Sequence, residues 1–121
     1  MPILDIEIVA RGAQKIPAEL AQSIANELGT VLRVRSGGLW VRVHLLPAER
    51  YAENSQAGES PTPVFATWLE NDRPVGVALT TRIAAITKTV ARLTGRPAEH
   101  VHVLFEAAAR GRIAFGGELL E

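Results

Sequence analysis

The chain has 121 residues, 13 basic and 13 acidic, with 47% apolar residues, 5% aromatics and no cysteine. No cysteine means no disulfide scaffold and no zinc–thiolate centre. A net charge of zero without a basic run offers nucleic acid or an anionic membrane little to bind. The longest uncharged stretch, residues 60–69, is too short and too proline-rich to span a bilayer. Asp5 and Glu7 fall where a signal peptide would be apolar, so a soluble, cytoplasmic, single domain over residues 1–121 is expected.

Residues 3–9 are rich in β-branched side chains and end at Arg11-Gly12, which predicts a first strand. Pro17 suits the first turn of a helix carrying Leu20, Ile24, Leu28, Val31 and Leu32 at helical spacing, with Ser36-Gly37-Gly38 as the stop. A second strand covers residues 39–46 and closes at Pro47. Residues 48–62 read as a loop, with a short strand around Tyr51 as an option. Residues 63–69 predict a third strand, and Leu79, Ile83, Ile86, Val90 and Leu93 a second helix ended by Gly95 and Pro97. Residues 100–106 predict a fourth strand, and the glycine-rich tail with Gly111, Gly116 and Gly117 a hairpin or edge ribbon reaching outward.

The second half repeats the first. Aligned on Pro2 and Pro63, PILDIEI faces PVFATWL, and WVRVHLL faces HVHVLFE. The fold class is therefore α/β (α+β): two β-α-β units in tandem, repeat one about 2–60 and repeat two about 61–121. Right-handed crossovers make the strands of each unit parallel and place both helices on one face of a four-stranded sheet. Leu4, Ile6, Ile8, Leu39, Val41, Val43 and Leu45 should face the helices. The other face would carry Asp5, Glu7, Trp40, Arg42, His44, His100, His102 and Glu106, a mixture that suggests coverage by other subunits.

Three features together, the Met-Pro start, the tandem repeat and the ending GRIAFGGEL, resemble the tautomerase superfamily. The stretch VHVLFEAAARGRIAFGGEL is similar to the close of 4-oxalocrotonate tautomerase, with one extra residue in the alanine run. VRVHLLPAERYAEN is similar in pattern to macrophage migration inhibitory factor, and the length suits that protein and 5-carboxymethyl-2-hydroxymuconate isomerase. The resemblance implies the tautomerase fold, a homotrimer, no cofactor and no metal. It also implies a small carboxylic acid substrate of the 2-hydroxy-dienoate or enol-pyruvate type, tautomerised between keto and enol forms.

In that frame Pro2, once Met1 is removed, is a free secondary amine and the general base. Its pKa has to lie at or below the ordinary α-amino value of about 7.7–8.0, and burial or a nearby guanidinium pushes it that way. Arg42 matches the arginine of the family's VRV strand, where a guanidinium fork binds a substrate carboxylate or a dienolate oxygen. Its plainer reading is a pair with Asp5 or Glu7 across the sheet. Arg11 lies one position early against the family's arginine after the first strand, and a surface turn is its other reading. His102 stands where macrophage migration inhibitory factor has a pocket tyrosine; a purely structural histidine competes with a hydrogen-bond donor there. Ile113 and Phe115 would form the apolar wall, beside a neighbouring copy's Pro2, and Arg112 would reach a carboxylate or remain solvated.

The three histidines, His44, His100 and His102, include one close pair and no HExxH motif, which argues against a metal site. Two rivals stand beside the tautomerase reading. One is a hydratase-dehalogenase on the same proline site, with Glu106 or Glu53 activating water. The other is a non-catalytic trimeric binding or scaffold protein.

Overall fold

The computed structural model describes residues 2–121; Met1, on whose removal the free amine depends, lies outside the described residues. In chain order the elements are β1 (Ile3–Val9), α1 (Leu20–Val31), β2 (Trp40–Leu46), a 3-10 turn (Ala48–Arg50), β3 (Val64–Leu69), α2 (Gly76–Thr94), a second 3-10 turn (Ala98–His100), β4 (Val101–Phe105), β5 (Ala114–Phe115) and β6 (Glu118–Leu119). The main sheet runs β2-β1-β3-β4. β1 lies parallel to β2 and β3 parallel to β4, as two β-α-β units require, and the units join through the antiparallel pair β1–β3. No described helix is long and apolar enough to cross a membrane.

The period-2 alternation of the strands decides which side is dry. Leu4, Ile6 and Ile8 of β1 and Val64, Ala66 and Trp68 of β3 meet Ile24 and Leu28 of α1 and Ile86 and Val90 of α2 in one core. Val41, Val43 and Leu45 pack against its margin. Trp68 is fully buried and its indole N–H donates to Glu70 at 2.6 Å. Arg82 of α2 pairs with the same carboxylate, which ties the helix to the end of β3.

Several local expectations need correction. α1 ends before Ser36-Gly37-Gly38, because Arg33 already adopts φ 55° and breaks the helical run. Gly38 serves the next turn instead: a Cβ there would lie 3.0 Å from the Arg35 carbonyl oxygen and from a Val34 methyl. No strand forms at Tyr51, which follows the first 3-10 turn. His100 sits in the second 3-10 turn and not on a strand. On α2, Ile83 is exposed, and the buried stripe runs instead through Ile86, Thr89 and Val90.

The alignment of Pro2 on Pro63 is also out of step. Even-numbered residues point to the helices in both β1 and β3, whereas Pro2 and Pro63 are an odd number of residues apart. Superposing the buried pair Ile24–Leu28 on Ile86–Val90 sets Val64 over Pro2 and His102 over Trp40. Strand spacing is the same in both units, since Ile3 pairs with Trp40 and Val64 with Val101.

Candidate functional site

The face away from the helices is built in rows across the sheet. The register aligns Trp40, Ile3 and Leu69; then Arg42, Asp5, Thr67 and Leu104; then His44, Glu7, Phe65 and His102. Pro2 is buried at the start of β1, and its carbonyl accepts the Trp40 N–H at 3.1 Å. On the open face, starting from the next residue, lies a cleft of about 430 Å³ whose walls include Ile3, Asp5, Arg42, Glu106, Arg112 and Ile113; Pro2 is not one of its lining residues.

Within this cleft Arg42 is paired. Its Nε and NH2 donate to the two Asp5 carboxylate oxygens at 2.5 and 2.7 Å, and its side chain is 65% exposed. The hydrogen bond to Asp5, and then the charge of Asp5, raise the Arg42 pKa above the ordinary arginine value. The guanidinium therefore stays charged at any working pH, but its fork faces an internal carboxylate.

The C-terminal ribbon lies against its own sheet at this end. β5 and β6 pair only with each other among the described residues, and the Phe115 ring meets Trp40 edge-on at 5.4 Å between centroids. Ile113 lines the cleft, while Arg112 donates to the Ala107 and Ala108 carbonyls at 3.0 and 3.1 Å. Arg110 grips Asp72 at 2.9 and 2.7 Å and the Glu121 carbonyl at 2.6 Å. The expectation of a ribbon reaching outward is thus corrected within the chain. Cation–carbonyl and aromatic contacts fold it back towards the start of β1 and β2.

The remaining candidates sit elsewhere. Seven strand residues separate Pro2 from the turn that holds Arg11, a span of roughly 20 Å. One chain does not bring those two residues together. Arg11 Nε donates to the Thr62 hydroxyl at 3.1 Å, and its backbone N–H to Gln14 Oε1 at 3.0 Å. His102 lies in the far row, its ring 5.6 Å from Phe65, which in turn meets Tyr51 at 5.9 Å. Glu53 accepts from the Tyr51 hydroxyl at 2.6 Å and is absent from the cleft that starts at Ile3, whereas Glu106 lines it. Among the described residues no three His, Cys, Asp or Glu side chains converge as a metal would need.

The sequence reading missed Arg96 and Gln14. Arg96 is 4% exposed and carries no carboxylate partner; burial, and then the charge of Arg11, lower its pKa from the ordinary arginine value. Its NH1 donates to the Val9 and Thr62 carbonyls at 2.9 and 2.7 Å, and its NH2 to Gln14 Oε1 at 2.5 Å. The only sequence signal was an arginine squeezed between Gly95 and Pro97.

Elsewhere, a crevice of about 540 Å³ runs between α1 and the Gly37 turn. Arg35 is its one charged side chain, which leaves it without an acid–base pair. The cleft that starts at Ile3 combines cations, carboxylates and an apolar wall, and a second cleft of about 580 Å³ at the other end of β1 brings Arg11, Glu59 and His100 together.

No protein-family model and no curated protein matches the sequence. Solved structures match across nearly its whole length. Pt0534 inactivated by 2-oxo-3-pentynoate superposes with a TM-score of 0.73 at 17% identity, covering 97% of this chain and 94% of that one. The macrophage migration inhibitory factor of Trichinella spiralis gives 0.72 at 14% identity, with 97% and 98% covered. An asymmetric trimer of a fused 4-OT gives 0.74 at 14% identity, with 97% and 94% covered. At such identities the likeness speaks for architecture: the chain has the α+β fold shared by these structures.

Proposed function

We propose that the protein is a cofactor-free tautomerase, acting as a homotrimer on a small 2-hydroxy-dienoate or enol-pyruvate type acid. The observation that carries this reading is the buried Pro2 at the head of an inner strand whose next residue, Ile3, lines a cleft with cationic and apolar walls. With Met1 removed, the Pro2 nitrogen is a secondary amine. Burial favours its neutral, basic form. It takes the hydroxyl proton of the enol and returns it to carbon. Arg42 exchanges its Asp5 partner for the substrate carboxylate beside the enol, an exchange that exposed ion pairs permit. Ile113 and Phe115 keep water from the amine.

Arg11 meets this site only if a second copy brings it, and the trimeric fused 4-OT neighbours support an assembly that does so. Three chains supply six β-α-β units, enough to close a ring with sheets inward. Arg11 then adds a cation for a distal carboxylate, and His102 a hydrogen-bond donor. Residence in the cytoplasm fits this reading. Glu106 in the same cleft keeps one rival in play: a hydratase-dehalogenase in which it activates water while Pro2 stays protonated.

The test uses 2-oxo-3-pentynoate, which inactivates the neighbour Pt0534. A free amine adds across its ketone-conjugated alkyne with no leaving group, so the intact mass should rise by one inhibitor per chain, located at Pro2. Phenylenolpyruvate and 2-hydroxymuconate should be ketonised, and Pro2→Ala should lose about 100-fold or more in kcat/KM while still folding. Retained Met1, or an unlabelled Pro2 with full activity in Pro2→Ala, removes the mechanism. Chloride release from 3-chloroacrylate would favour the dehalogenase instead.

A further inference from the structure

The end of α2 delivers a cation to the far end of β1. Gly95 adopts φ 70°, and the Arg96 N–H reaches back to the Ala91 carbonyl at 3.0 Å, so the helix closes in a left-handed turn. Pro97 then leads the chain away, and the Arg96 side chain is left buried beside the ends of β1 and the loop before β3. A buried guanidinium without a carboxylate is costly, because neutral acceptors only partly replace its hydration. Mechanical stapling of Val9 to Thr62 needs only the two carbonyl contacts of NH1. The third contact, NH2 to Gln14, ends on a side chain that Arg11 uses as well.

Two of the three residues that hold Arg96 also hold Arg11. Gln14 Oε1 accepts from Arg96 NH2 and from the Arg11 backbone N–H. Thr62 accepts Arg96 through its carbonyl and Arg11 Nε through its hydroxyl. Arg11 is exposed, and among the described residues its terminal nitrogens have no hydrogen-bond partner and it makes no direct salt bridge, although Glu59 and His100 line the same cleft. The like charge of Arg96 behind it disfavours any inward collapse. We propose that Arg96 and Gln14 are positioning residues for Arg11, fixing its turn so that its outer nitrogens stand ready for a substrate carboxylate. This rests on the reading that Arg11 meets that carboxylate in a neighbouring copy's site.

The test compares Gln14→Leu, which removes the shared acceptor at similar size, with Gln14→Glu, which keeps an oxygen there. KM and kcat are measured for the dicarboxylate 2-hydroxymuconate and the monocarboxylate phenylenolpyruvate. In parallel, 15N spectra follow the Arg11 Nε–H signal, assigned by its loss in Arg11→Lys. Gln14→Leu should raise KM for the dicarboxylate about tenfold with kcat unchanged, the worth of one orienting hydrogen bond. The monocarboxylate should shift less than twofold, and Gln14→Glu, which keeps the accepting oxygen but adds a charge that pairs with Arg96, should recover at least half of the loss in KM. The Arg11 Nε–H signal should collapse to a solvent-averaged position in Gln14→Leu and stay dispersed in Gln14→Glu. Equal losses on both acids, or an unmoved Arg11 signal, would overturn the proposal. If the parent protein turns over neither acid, the tautomerase reading fails by itself, and the spectra still decide whether Gln14 holds Arg11.

Discussion

At one end of the open sheet face Arg42 projects from β2 and spends its fork on Asp5 of the adjacent strand. At the other end Arg11 projects from a turn, unpaired with any acid among the described residues, and rests on a second, buried arginine. The first arrangement is electrically neutral and exposed, so an incoming anion has to displace a resident one. The second keeps its positive charge available, and the free energy this requires is stored in the fold around Arg96. Recognition of an acid at the Pro2 end is therefore adjusted by changing charges, and at the Arg11 end by changing structure.

The largest effect should come from breaking the structural end. Arg96→Met orphans the Val9 and Thr62 carbonyls and Gln14 Oε1, and each lost partner costs about 1–3 kcal/mol when buried. Urea unfolding should show a loss of about 3 kcal/mol or more, and a loss under about 1 kcal/mol would mean that the buried arginine holds nothing. The electrical end should respond oppositely. Asp5→Asn frees Arg42 and removes a competing anion, so KM for a carboxylate substrate should fall about three- to tenfold with little change in stability. A rise in KM would show Asp5 to be part of the recognition itself.

The smallest effect concerns the ribbon that covers the Pro2 end. The Arg110 hydrogen bond, and with it the Arg110 charge, hold the Asp72 carboxyl below its ordinary value of 3.8. A carboxyl lowered in the folded state adds stability above its unfolded pKa, and loses it as pH falls through the folded one. Asp72→Asn should therefore be slightly less stable than the parent at pH 6 and indistinguishable from it well below pH 3. A difference that persists in acid would mean the asparagine perturbs the ribbon by shape rather than charge.

Much of the architecture is legible in sequence because period-2 and helical spacing are local signals. Leu4, Ile6 and Ile8 announce their face, and Leu20, Ile24 and Leu28 announce theirs. The proline alignment misleads because a strong residue match at an odd spacing overrides the subtler rule that a one-residue slip inverts a strand. The site is half legible for a related reason. Ile3, Arg42 and Ile113 share a cleft because parallel pairing brings the starts of β1 and β2 together. His102 does not join them, since the antiparallel β1–β3 junction sends the head of the second unit to the opposite end, and Arg11 lies a full strand length away, past the far end of β1. Arg96 is invisible to motif reading. Its meaning depends on a left-handed helix ending and on the lack of an acid nearby, and both are facts of three dimensions.

The β2-β1-β3-β4 order has a kinetic corollary. No two neighbours in the main sheet are joined by a hairpin: β1 meets β2 across a helix, and it meets β3 only after the whole of β2 and the loop beyond it. The sole tight hairpin is the β5–β6 ribbon, which carries none of the core. Productive encounters during folding must therefore close long loops before any sheet energy is recovered, placing this chain among the slower mixed folds of its size. The first unit, emerging early in synthesis, exposes the β1 edge that β3 will later cover. Until that strand arrives, the edge is open to any other extended chain, so the interval between making the two units is the period of greatest exposure to misassembly.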